Sequence, residues 1–201
     1  MSAANPVTYS PAPRRGAGRV QTIAVIAVVA VIVGILAFSA SGAGMTDGVT
    51  KVELPVDAAA RAPGPGEVPP AFSGVTYDGQ PVSLADYAGQ PVWLTFGASW
   101  CPDCRTEAPD VEATYQAYRD QGLVVLGVFI NEPASDIASY AQKVGLTFPI
   151  TVDENADIAA AYRSMGIPTH FFIAADGTVR EVRIGSLSRD DMTRAVTSIV
   201  N

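Results

Sequence analysis

Cysteine and histidine are nearly absent from this chain, with two cysteines and one histidine among 201 residues. Both thiols lie together at Cys101 and Cys104, so no disulfide framework can be built and no N-terminal cysteine is available for lipid modification. Most zinc sites are excluded as well, because His170 and two thiols cannot complete a closed tetrahedral shell. Acidic residues are missing from the N-terminal part: all 20 lie from Asp47 onward, while Arg14, Arg15 and Arg19 precede a long apolar run. The net charge of −7 therefore falls on the remainder of the chain and argues against nucleic-acid binding, which needs a basic surface.

Residues 20–40 carry no charge and consist largely of Ala, Val, Ile, Leu and Gly. At about 1.5 Å of rise per residue, roughly 20 residues of helix cross the hydrocarbon layer. The flanking arginines predict a cytoplasmic tail at 1–19 and export of the C-terminal part. A cleaved signal peptide is the rival reading, since Ser41-Gly42-Ala43 offers small residues at plausible cleavage positions. The length of the run and of the tail before it favour a retained transmembrane anchor at the cell membrane. Arg14-Arg15 lacks the context of a twin-arginine signal. Residues 41–67 are rich in Ala, Gly and Pro and read as a linker; a short strand at 49–56 is the alternative there to solvated chain.

The folded part is expected at 68–201. Tyr77-Asp78-Gly79-Gln80 marks a turn between 72–76 and a short strand at 81–83. A buried strand at 92–96 runs into Trp100-Cys101, and a helix follows to about residue 121. Gly122 stops it, and 123–130 is a continuous apolar strand suited to a sheet covered on both faces. Two helical patterns follow: Ile137, Tyr140, Ala141 and Val144 before Gly145, and Ile158, Ala161, Tyr162 and Met165 before Gly166, with a strand at 148–152 between them. A hairpin around Asp176-Gly177 joins strands at 170–174 and 178–184, and Ser188 caps a last helix bearing Met192, Ala195, Val196, Ile199 and Val200 on one stripe. The class is α/β with a mixed sheet.

A Cys-x-x-Cys pair at a strand-to-helix junction has a specific chemistry. The helix start aims unpaired N–H groups at Cys101 and stabilises its thiolate. Cys104, one turn further and expected to be more buried, can close the disulfide. That makes Cys101 the attacking thiolate and Cys104 the resolving thiol. A stapling disulfide is the plainer alternative, but so short a loop removes little unfolded-chain entropy. The residues imply no metal and no other cofactor.

Several separate segments resemble the thioredoxin-like TlpA/ResA branch, related to the redoxin and AhpC/TSA proteins. Phe72 with Gly79-Gln80-Pro81-Val82-Ser83-Leu84 is similar to its N-terminal hairpin. Residues 92–101 (VWLTFGASWC) are similar to the strand entering the active site, and Gly166-Ile167-Pro168-Thr169 to its cis-proline segment. Residues 135–162 correspond to the region where the branch carries its central insertion. The resemblance spans 68–201 and implies a thioredoxin-like fold with an N-terminal hairpin extension. It implies a thiol–disulfide oxidoreductase acting on exported protein thiols and disulfides, fed by a membrane electron donor or redox partner, with cytochrome c maturation as one setting.

The resemblance also assigns roles. Pro168 is expected beside the cysteines with a cis bond, where the Ile167 backbone can pair with an extended substrate. Trp100 is expected as a contact surface or as a core aromatic, and Pro109 as a structural kink. Glu107 matches the branch's buried glutamate, which influences proton transfer at the cysteines, although spacing alone suits a solvated charge. Thr95 stands where thioredoxins proper carry a buried Asp. Pro102 and Asp103 occupy the tuning positions between the thiols. The charge of Asp103 opposes thiolate formation, Arg105 can screen it, and the balance points to a reductant. His170 reads as a packed strand residue. A redoxin-type peroxidase is the alternative function, weakened because Ala98 stands where the peroxidatic pattern needs Thr one turn before the reactive Cys. A copper module resembling the Sco group would need a Cys-x-x-x-Cys spacing.

Overall fold

The computed structural model describes residues 51–53 and 61–201. The expected anchor at 20–40 and the tail before it lie outside the described residues. Among the described residues no helix is long and apolar enough to cross a membrane.

A five-stranded sheet organises the fold. Its strands are β4 (Val92–Gly97), β5 (Val124–Ile130), β6 (Ile150–Asp153), β7 (Thr169–Ile173) and β8 (Val179–Ile184), in the order β6-β5-β4-β7-β8. β4, β5 and β6 run parallel, β7 is antiparallel to β4 and β8 is antiparallel to β7, so the sheet is mixed as expected. Every residue of β4 is buried, because both faces of the sheet are covered. On one face Trp93 packs with Ala108 and Val111 of α1 (Pro102–Tyr118), Ile137 of α2 (Ala134–Val144) and Met192 and Val196 of α4 (Arg189–Val200). On the other, Val92, Leu94 and Phe96 pack with Phe72, Val82, Phe171, Tyr162 and Ile158, the last on α3 (Asp157–Ala161). Strand parity thus decides which residues of β4 and β7 look toward α1, and that face carries the site.

The stop at Gly122 and the cap at Ser188 work as read. A 3-10 turn (Arg119–Gln121) ends α1's run at Gly122, whose φ of 90° favours glycine. The hydroxyl of Ser188 accepts the Asp191 N–H at 3.2 Å at the start of α4.

Two expectations need correction. First, Lys51–Glu53, in the stretch preferred as solvated linker, forms strand β1 antiparallel to β2 (Ala71–Val75), which pairs in turn with β3 (Pro81–Ser83). The unpaired edge of β2 supplies the hydrogen-bonding partners that local sequence does not reveal. Second, α3 stops at Ala161 rather than continuing to Gly166. The buried Tyr162 hydroxyl donates to the Pro70 carbonyl at 2.7 Å, and Arg163, with φ 52°, turns the chain out of the helix. Met165, assigned to the apolar stripe, is 92% exposed.

Candidate active site

β4 delivers the chain directly to the start of α1, where Cys101 is the N-cap residue. Its Sγ accepts the Cys104 N–H at 3.2 Å, so an unpaired helix-start donor points at the sulfur. Cys101 and Cys104 are joined as a disulfide with Cα atoms 5.3 Å apart. The two cysteines are 4% and 6% exposed, so the expected greater burial of Cys104 is not found in this oxidised state. Both pack with Ala98 against Ile167. What distinguishes Cys101 is its place at the helix end.

The Ile167–Pro168 peptide bond is cis, and the Ile167 carbonyl oxygen lies 3.9 Å from Cys101 Sγ. Pro168 is buried and Ile167 half-buried. Trp100, 54% exposed, belongs to the surface beside the motif and not to the core. Pro102 and Asp103 are exposed on the first turn of α1, so the Asp103 charge is solvated.

Glu107 is 5% exposed, which removes the solvated-charge reading. One carboxylate oxygen, Oε2, accepts the Leu187 N–H at 3.0 Å, and Oε1 lies 3.4 Å from His170 Nε2. A cavity of about 20 Å³ is lined by Thr95, Gly97, Cys104 and Glu107, so Cys104 and the buried acid face a common space. Gly97 leaves room there: a Cβ on it would stand 3.6 Å from Cys104 Sγ.

Two further residues, one acid and one histidine, join the site through contacts that local sequence does not reveal. Glu132, at the end of β5, is 4% exposed; its Oε1 accepts the Ser99 N–H at 2.7 Å and its other oxygen accepts the Ser99 hydroxyl. It clamps the loop that leads into Cys101. The available signal was topological: parallel neighbours β4 and β5 end at the same sheet edge, where α/β sites gather. The second is His170, which stands beside Glu107 and is fully buried on β7. Nearby, burial pushes the Tyr140 phenol above its usual value, and the charges of Glu107 and Glu132 act in the same direction against Arg105.

The chain is similar to known proteins over its folded part. The chain matches the AhpC/TSA family over residues 65–182. It is 34% identical over 134 residues to the thiol-disulfide oxidoreductase ResA of Geobacillus kaustophilus, covering 67% of this chain and 77% of that protein. The chain belongs to the AhpC/TSA family. A thiol:disulfide interchange protein of the thioredoxin family from Chlorobium tepidum superposes with a TM-score of 0.61 at 31% identity, covering 70% of this chain and 97% of the other. A secreted Mycobacterium tuberculosis disulfide oxidoreductase homologous to E. coli DsbE gives 0.58 at 27% identity, covering 63% and 95%. This AhpC/TSA member therefore has a thioredoxin-like fold and is a thiol–disulfide oxidoreductase of the ResA/DsbE type.

Proposed function

We propose that this AhpC/TSA protein reduces disulfides of exported proteins outside the cytoplasmic membrane, held there by an anchor at 20–40 joined to the folded part through the segment before β1. The observation that carries the chemistry is the capping of α1 by Cys101 Sγ, with Cys104 one turn on and bonded to it. In the reduced protein the Cys101 thiolate attacks one sulfur of a substrate disulfide. A Cys101–substrate bond forms and the other substrate sulfur leaves as a thiolate. Glu107 then takes the Cys104 proton, Cys104 attacks Cys101 Sγ, and the second substrate sulfur leaves as a thiolate that takes up a proton. Two electrons pass to the substrate and the Cys101–Cys104 disulfide forms. A membrane electron donor of dithiol chemistry returns the pair to the reduced state.

The remaining residues fit docking and tuning. Trp100 and the Ile167 backbone flank Cys101 and offer an apolar surface and a carbonyl to an extended substrate strand. Pro102 and Asp103 set the poise, with an acidic charge in the first turn opposing thiolate build-up. The basic residues before 20–40 support an outward-facing domain, and the likeness to a secreted oxidoreductase agrees with it. Apocytochrome c is a substrate of suitable chemistry.

With dithiothreitol supplied, the protein is expected to catalyse reduction of the insulin disulfides, and Cys101→Ser to abolish that activity. Consumption of hydrogen peroxide that depends on Cys101 and outpaces insulin reduction would instead establish the peroxidase reading. The buried Ala98 weighs against that outcome, because it offers no hydroxyl one turn before Cys101.

A further inference from the structure

His170 is the chain's one histidine and is wholly buried. The β4–β7 register places Thr95 opposite His170 and Trp93 opposite Phe172, on the sheet face beneath α1. The indole Nε1–H of Trp93 lies 3.3 Å from His170 Nδ1, and the Thr95 hydroxyl lies 3.0 Å from the same nitrogen. An indole N–H can only donate, so Nδ1 must accept and carries no proton. The ring proton then resides on Nε2. A doubly protonated ring would oppose its Nδ1–H to the indole N–H.

Nε2 has no hydrogen-bond partner, and the Glu107 carboxylate stands beside it, with Oε1 at 3.4 Å. In this oxidised state that contact is longer than a formed N–H···O bond. A buried donor left unmade is costly, and Glu107 is the group placed to satisfy it. The opposite carboxylate oxygen is already fixed by the Leu187 N–H. One formed bond from the loop before α4 and one donor placed on β7 thus bracket the Glu107 carboxyl group, which shares a cavity with Cys104. We infer that His170, as the Nε2–H tautomer locked by Trp93, is a positioning residue that aims Glu107 at the Cys104 proton. This rests on the proton-accepting role of Glu107 given above and extends it to a residue that touches neither sulfur.

Reduced full-length protein is mixed with oxidised glutathione, quenched with acid, and separated into the Cys101–glutathione mixed disulfide and the Cys101–Cys104 disulfide. This yields the rate of the Cys104 step alone. His170→Phe is expected to slow that step about tenfold and to add nothing in a Glu107→Gln background, since coupled residues are not additive. His170→Gln, which keeps a side-chain N–H, should recover part of the rate. Equal slowing in both backgrounds, or none in either, overturns the inference. If Glu107→Gln itself resolves at the wild-type rate, the Glu107 role falls and the His170 role with it. If Glu107→Gln slows and His170→Phe does not, only the His170 role falls. Nitrogen-15 NMR of the wild-type protein gives a readout that needs no variant: its single histidine should show a protonated Nε2 and a bare Nδ1. The Nδ1–H tautomer or an imidazolium overturns the inference.

Discussion

Cys104→Ser is expected to stop the reaction after its first exchange and to accumulate mixed disulfides through Cys101. The variant keeps the backbone N–H of residue 104, which donates to Cys101 Sγ at 3.2 Å, so the helix-start support for the attacking thiolate survives. A serine hydroxyl cannot break the Cys101–substrate bond. Turnover on a protein disulfide should fall at least about a thousandfold, because the two cysteines act as one unit and losing either removes the cycle. Non-reducing electrophoresis of cells expressing the variant should show dithiothreitol-sensitive adducts that vanish when Cys101 is also changed. Absence of adducts, with equal rapid alkylation of both thiols in the reduced wild type, would count against the assigned division of labour.

Glu107→Gln should slow resolution while leaving the first attack by Cys101 nearly unchanged. The amide matches the carboxylate in volume but cannot take a proton from Cys104. It also turns an N–H₂ group toward either the Leu187 N–H or His170 Nε2, where both neighbours are placed to donate. Loss of the proton acceptor is expected to slow the Cys104 step by about a hundredfold. Rapid-quench separation of the two disulfide species measures the two steps independently. If both steps keep wild-type rates, the burial of Glu107 serves packing alone.

The sheet was legible because its signals are local or periodic. Residues 92–96 are apolar except for Thr95 and 123–130 is a continuous apolar run, which suits strands covered on both faces, and Asp176-Gly177 marks the hairpin between β7 and β8. The redox pair was legible for a similar reason: Cys101, Pro102 and Cys104 announce a helix start, and the segment around Pro168 completes a pattern. What escaped the sequence depends on contacts made across the fold. β1 exists because β2 leaves an edge to pair with, and α3 ends early because Tyr162 is drawn to Pro70. Glu132 and Ser99 are separated by 33 residues and meet only because β4 and β5 end side by side. His170 looked like strand packing, which it is. The positioning role proposed for it needed the register that sets it opposite Thr95 and the contact beside Glu107.

The direction of electron flow depends on how the α1 terminus and Asp103 balance at Cys101. Asp103 lies in the first turn and is exposed, so it weakens the preference for the thiolate without burying a charge. A strong oxidant needs the opposite, a reduced form held as a stable thiolate. The most direct test is equilibration of the wild-type Cys101–Cys104 pair with reduced and oxidised dithiothreitol, read by alkylation of free thiols. A single two-electron transition near thioredoxin's value of about −270 mV is the predicted result, and a transition near DsbA's value of about −120 mV would contradict the reductant assignment.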